Sequence, residues 1–383
     1  MADFTFRISP NIILGSYAVN RLGEFASQYG KRCMLVLDPA LKKTPSAESI
    51  AQSLKDRSID FFIFDELADG ATTMAIQKAV VLARKSHVQC VVGAGGGRAM
   101  NAARAVAAIY HEAGGIYEFA EGKPVEAEPV PLICLPTTPR DPFVFTNRVP
   151  ITDSRTAKIK LIQAKDGLCR LVLFDPNLTT TLDAKQAAAI TLETLCLASE
   201  AYLSQKANFF SDMIAEKAVT LLGAATDENR PETDTTPKEE LLTQGGCMAS
   251  LAAASSALGA ASLLALCISA RAKADRALVT AVLFPHVLED CIAFKNERVA
   301  KLARILRVAP ETEADEAAAA NALVQNIRER LAAASLPARL KDAHLSIEHL
   351  ALAAEDAGKL EYVNTLARSM TSDDLFALVK KAY

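Results

Sequence analysis

The sequence contains no tryptophan, and aromatic residues make up only 6% of it. Large aromatic anchors therefore contribute little. Half the residues are hydrophobic and alanine is abundant, so helix is the favoured local state over much of the chain and the helices are expected to pack closely. There is no basic run or stripe. Lys plus Arg number 42 against 45 Asp plus Glu, a formal net charge of -3, which leaves nothing to neutralise a phosphate backbone and excludes nucleic acid as an expected partner. Cysteine pairs at redox or metal spacing are missing too. The eight cysteines (33, 90, 134, 169, 196, 247, 267 and 291) are scattered through apolar runs with no C-x-x-C, the pattern of reduced, buried thiols in a cytoplasmic protein. Histidine is scarce, with five residues (87, 111, 286, 344, 349) and none at i, i+4 from another.

The start of the chain, MADFTFRISPNIILG, has no basic segment and carries Asp3 and Arg7, so it does not read as a signal peptide. Residues 241–270 hold no charge and are long enough to span a bilayer. Their Ala, Ser and Gly content gains little from lipid, so this stretch is expected to be a helix packed on all sides within a soluble protein, with no membrane partner.

A chain of 383 residues exceeds what one core usually supports, and two domains are the natural expectation. Apolar β-like runs at 33–38 (CMLVLD), 61–67 (FFIFDEL), 89–95 (QCVVGAG) and 132–138 (LICLPTT) alternate with helical segments, which predicts parallel βαβ units. Two further runs, 143–151 (FVFTNRVPI) and 158–164 (KIKLIQA), precede 170–176 (RLVLFDP). The expected organisation is an α/β nucleotide-binding domain over 1–180 and an all-helical domain over 181–383. The polar segment 227–240 reads as a solvated loop, and Thr371-Ser372-Asp373-Asp374 as the capped start of the last helix.

Gly93-Ala94-Gly95-Gly96-Gly97 follows a β-like run and leads into a helix. Glycines without Cβ atoms let the backbone approach a pyrophosphate, and a helix start supplies N–H donors and a partial positive charge. The spacing is G-x-G-x-G, with Arg98 where the dinucleotide fingerprint has its last glycine, so it is not that fingerprint. A turn without a ligand is the alternative. Asp38, at the end of the first strong strand, suits hydrogen bonds to a ribose and repulsion of a 2′-phosphate, favouring NAD over NADP; equally, it could simply begin the turn at Pro39. Pro136-Thr137-Thr138 places two hydroxyls at a strand end, where ligands bind in open α/β sheets.

Taken in order, GAGGGRAMNAAR (93–104), LICLPTT (132–138), ITDSRTAK (151–158), LVLFDPNLTTTL (171–182), SEAYLS (199–204) and LFPHVLE (283–289) resemble the iron-containing alcohol dehydrogenase family, with its dehydroquinate synthase-like fold. The resemblance spans nearly the whole chain, the stretches SLPARLKD (335–342) and LFALVKKAY (375–383) included. It implies a nucleotide, NAD or NADP, in a cleft between the halves, contacted by Asp38, Gly95, Gly96, Gly97, Thr137, Thr138 and Lys158. It also implies a homo-oligomer acting on a small-molecule substrate. The sequence departs from the family where its Ser, Asp and Lys become Arg98, Asn101 and Arg104, and where A-G-T-G-S-E becomes PRDPFV (139–144).

The resemblance also carries a metal site, in which one Asp and three His fall at Glu193, Leu197, Ser262 and Arg276, and a further histidine falls at Leu266. Leu cannot coordinate, Ser is a poor ligand and a guanidinium repels cations, so no metal is expected. Arg276 is expected to pair with Glu193 in the vacated volume, and these two are the candidate catalytic residues. His286 reads as structural. Three readings follow: a metal-independent NAD-linked oxidoreductase favouring carbonyl reduction, a catalytically silent relative that binds nucleotide or a metabolite, and a partner-binding protein that uses only the fold.

Overall fold

The computed structural model describes residues 8–179, 182–227, 230, 235–310 and 315–383. Asp3 and Arg7 lie outside them, as does much of the polar segment 227–240. The chain divides into two compact units, Met1–Thr181 and Leu182–Tyr383.

In the first unit the strands are β1 (Asn11–Leu14), β2 (Arg32–Leu37), β3 (Asp60–Phe64), β4 (Cys90–Gly95), β5 (Leu132–Pro136), β6 (Arg148–Asp153), β7 (Lys158–Gln163) and β8 (Leu171–Phe174). The helices are α1 (Leu22–Ala26), α2 (Pro45–Lys55), α3 (Thr73–Lys85), α4 (Gly97–Ile109) and α5 (Ile116–Ala120). Six strands form a parallel sheet in the order β1-β8-β5-β4-β2-β3. The four inner strands are almost wholly buried, which is why each reads as a continuous apolar run rather than an alternating one. Two runs end sooner than expected, β3 at Phe64 and β5 at Pro136.

One further strand is present and one expectation needs correcting. The edge strand β1 is apolar but only four residues long and mostly exposed, so it does not stand out as the longer buried runs do. The run from Phe143 is not a strand until Arg148; residues 143–145 make a buried turn and 146–147 a half-buried bend, and β6 then pairs antiparallel with β7 in a separate hairpin.

Residues of the second unit form helices α6 (Ala184–Leu203), α7 (Phe209–Thr226), α8 (Lys238–Ser255), α9 (Ala260–Ala272), α10 (Arg276–Ile305), α11 (Glu316–Ala333), α12 (Ile347–Ala357) and α13 (Ser372–Ala382). The uncharged stretch 241–270 is two helices rather than one, α8 and α9, bent by 97°. Ser256 leaves helical geometry (φ -127°, ψ -99°) and Gly259 caps the restart in an extended conformation. Helix α10 is also long and apolar enough to cross a membrane, but it packs against α6, α9 and α11, contains Pro285 and kinks at Lys295. The last helix begins as expected: the Thr371 hydroxyl accepts from the Asp374 amide, whose carboxylate accepts from the Thr371 amide. All eight cysteines are buried and free.

Candidate functional site

Strand order places the glycine turn. The chain passes from β2 outward to β3 and then returns to add β4 on the other side of β2, so the direction of winding reverses between β2 and β4. Open α/β sheets bind ligands outside the carboxyl ends of strands at such a reversal. Register brings Leu37 level with Ala94 and Gly95 level with Pro136, and the Asp38 amide donates to the Ala94 carbonyl at 2.9 Å while the Thr137 amide donates to the Gly95 carbonyl at 3.0 Å. Asp38, Gly95, Gly96, Gly97, Thr137 and Thr138 therefore meet along one sheet edge.

Glycine is required at one of these positions for two reasons. Gly95 has φ +146°, and a Cβ there would lie 2.5 Å from the Asp38 Cβ and 2.9 Å from the Ala99 Cβ. Gly96 differs: a Cβ would find its nearest atoms at 3.8 Å (Thr138 Cγ2) and 3.9 Å (Asp38 Oδ2), which is open enough for the backbone to face a ligand. Gly96 caps α4 without a side-chain acceptor, and the first amides of a helix have no helical acceptor. The turn thus offers backbone donors and the positive end of a helix dipole to an anion.

Asp38 does two things at this edge. It begins the turn, accepting from the Ala40 amide at 3.1 Å, and it pairs with Arg98 through Nε (3.3 Å) and Nη2 (3.2 Å). The Asp38 side chain is 8% exposed and that of Arg98 42%. No local pattern marks this pair, since the partners lie 60 residues apart and are brought together by parallel pairing of β2 with β4. Lys158 belongs to the other sheet, opening β7 opposite Asp153.

The departures from the family pattern at Asn101, Arg104 and residues 139–144 form one structural unit. Arg104 is fully buried and donates through Nη2 to the carbonyls of Thr146 (3.0 Å) and Arg148 (2.7 Å), and through Nη1 to Asn101 Oδ1 (3.4 Å). Its guanidinium sits 6.0 Å from the Phe143 ring. Ahead of this, Thr138 donates to the Arg140 carbonyl (3.0 Å) and accepts from Arg140 Nη1 (3.2 Å). Asp141 accepts from the Phe143 amide at 2.9 Å. The Thr138 hydroxyl is therefore engaged within its own loop, and Arg104 of α4 holds the chain that follows it, at Thr146 and Arg148.

In the helical unit, Arg276 is the first residue of α10 and its Nε lies 2.8 Å from Glu193 Oε1 on α6, with side chains 18% and 6% exposed. Leu197, one turn along from Glu193, is buried, as is Leu266 on α9. Ser262 and its neighbours serve a residue that sequence reasoning used only to align the chain. Glu200 is buried and caps α9, accepting from the Ala261 amide at 2.6 Å and the Ser262 amide at 3.3 Å. Burial pushes its carboxyl above the usual range, against the opposing hydrogen bonds from Ser262, Ala261 and Gly259. The readable signal was a second carboxylate seven residues after Glu193, on the same face of an otherwise apolar helix. His286 lies 3.4 Å from Glu289, one turn along α10. Among the described residues no group of three or more His, Cys, Asp or Glu is placed to hold a metal ion.

Comparison with known proteins agrees with the fold. The chain is 24% identical over 379 residues to the NAD-dependent methanol dehydrogenase of Bacillus methanolicus, covering 98% of this chain and 99% of that one. It is 23% identical to the 1,3-propanediol dehydrogenase of Citrobacter freundii, covering 78% of each. A crystal structure of a 1,3-propanediol oxidoreductase superimposes with a TM-score of 0.90 at 21% identity, covering 100% of both chains. The family described as iron-containing alcohol dehydrogenase matches residues 9–176, and its C-terminal part matches residues 187–383. The chain belongs to the iron-containing alcohol dehydrogenase family of oxidoreductases.

Proposed function

We propose that this protein is a nicotinamide-nucleotide-dependent oxidoreductase of small alcohols and carbonyl compounds that works without a metal ion. The observation that carries this reading is the Glu193–Arg276 ion pair at 2.8 Å. A divalent cation needs several lone-pair donors at about 2.0–2.2 Å. The positions that the family resemblance assigns to ligands instead hold an aliphatic Leu197, a Ser262 whose amide is committed to Glu200, and a guanidinium. A cation beside Arg276 would face a fixed positive charge with one carboxylate to hold it. The set does not fit a metal.

The glycine turn supports the nucleotide half of the proposal. When bound, the reduced nucleotide supplies a hydride. Gly95 and Gly96 would let the backbone come close, and the first amides of α4 would hold the pyrophosphate. Arg276, charged at every accessible pH, stabilises negative charge on a substrate oxygen. A guanidinium that stays protonated cannot take a proton from an alcohol, so carbonyl reduction is the favoured reading, with the proton drawn from solvent. Relatives named for methanol and 1,3-propanediol point to short substrates.

The test is turnover of a panel of short aldehydes and ketones with NADH and NADPH, with and without a chelator. Reduction that survives chelation and falls at least tenfold in Arg276→Lys, which keeps the charge but not the planar fork, is the expected outcome. Nucleotide binding with no turnover would favour a silent relative instead, in which the commitment of Arg276 to Glu193 is purely structural.

A further inference from the structure

We infer that Arg98 cancels the discrimination of Asp38 against a 2′-phosphate, so that the nucleotide site accepts NADP about as well as NAD. The inference rests on the glycine turn being a nicotinamide-nucleotide site. A carboxylate at the end of the strand beside the turn hydrogen-bonds a ribose diol and repels a phosphate in its place, whereas an arginine nearby accommodates that phosphate. Here both groups are present and joined. Arg98, the second residue of α4, reaches back across the turn and grips Asp38 through Nε and Nη2 at 3.3 and 3.2 Å.

The pairing has two consequences. The carboxylate no longer presents a bare negative charge, because a guanidinium neutralises it at contact distance. Its acceptor capacity is also partly used, since Oδ1 takes the Ala40 amide as well as Arg98 Nη2, and Oδ2 takes Arg98 Nε, so the advantage of a ribose diol shrinks. Of the five N–H groups of a guanidinium, two face Asp38, and the remaining three suit phosphate oxygens. The Arg98 side chain is 42% exposed, so it can meet a ligand without leaving a buried position. Asp38 Oδ2 lies 3.9 Å from where a Gly96 Cβ would stand, which puts the pair beside the open face of the turn.

Calorimetric titration of the full-length protein with NAD and with NADP tests this, using wild type, Arg98→Ser and Arg98→Lys. Wild-type dissociation constants for the two nucleotides should lie within about tenfold of each other. Arg98→Ser should weaken NADP by about tenfold or more, the worth of one charge-assisted contact, while leaving NAD unchanged or tighter. Arg98→Lys should fall between. Raising the salt concentration should weaken NADP more than NAD in wild type and lose that difference in Arg98→Ser. Thermal melting within a few degrees of wild type confirms that the variants fold. Equal changes in both constants on Arg98→Ser, or a wild type that already rejects NADP as strongly as the variant, would overturn the inference while sparing the nucleotide site. Absence of binding by either nucleotide would overturn both.

Discussion

The glycine turn of the α/β unit and the Glu193–Arg276 locus of the helical unit are built from different material. The turn is made of backbone: two glycines, the first amides of α4, and strand ends set by register. The locus in the second unit is made of side chains, and each substitution there changes its chemistry outright. A backbone site tolerates divergence around it, because Arg98, Asn101 and Arg104 can change the surroundings without removing an N–H. A site of convergent side chains does not. On the proposed reading, Leu197, Ser262 and Arg276 stand where the family resemblance assigns ligands, and Arg276 pairs with Glu193 there.

The largest effect expected from breaking this contrast is at Gly95. Gly95→Val would place its Cβ 2.5 Å from the Asp38 Cβ at φ +146°, so it should destabilise the protein by about 3 kcal/mol or more in urea unfolding, by strain and overpacking combined. Gly96→Ala is the informative contrast, since its Cβ meets nothing closer than 3.8 Å. Stability should change by less than about 1 kcal/mol while nucleotide affinity, read by calorimetry, falls.

Next in size is the ion pair. Arg276→Ala removes the counter-charge of a Glu193 that is 6% exposed and should cost about 2–3 kcal/mol, somewhat less than a fully buried pair because Arg276 is partly solvated. The double variant Glu193→Leu with Arg276→Leu should recover most of that loss, as apolar replacement of buried pairs does. A metal-binding Glu193 would give the opposite pattern, with Arg276→Ala gaining stability on addition of zinc.

A smaller effect concerns Glu200. Its carboxyl is raised from a usual value of 4.5, chiefly by burial, so the folded chain holds that proton more tightly than the unfolded one. The stability it contributes is fully present below the unfolded value and is lost as pH rises through the folded value. Urea denaturation of wild type and Glu200→Gln across pH should therefore show the wild-type advantage shrinking as pH climbs above about 4.5. His286 gives the smallest effect and the reverse sign. Burial lowers it from 6.5, against Glu289, so its contribution is present above 6.5 and lost as pH falls through the folded value. His286→Gln should flatten the stability profile on that side alone.

What could be read from the sequence follows from the same contrast. The inner strands were legible because burial on both faces leaves a continuous apolar run, and the glycine turn because a glycine cluster between a β-like run and a helix marks a βα turn, with or without a ligand. The Glu193–Arg276 pair was legible through alignment with the family, not through any local pattern. Four features were not legible. Strand β1 is a four-residue exposed edge whose apolar run is too short to stand out. The bend between α8 and α9 arises at Ser256 and Gly259 inside a stretch of good helix formers. The Asp38–Arg98 pair and the hold of Arg104 on the loop at 143–148 depend on which strands lie side by side, which residue spacing does not encode.

The central claim is that an ion pair has taken the place of a cation in the helical unit. It is tested most directly by growing the protein with excess iron and zinc, purifying it, and measuring bound metal by mass spectrometry alongside nucleotide-dependent carbonyl reduction before and after chelation. Well under one metal per chain is expected, with turnover that chelation leaves unchanged. One tightly bound metal per chain, removed by chelator with loss of activity and restored on its return, would contradict it.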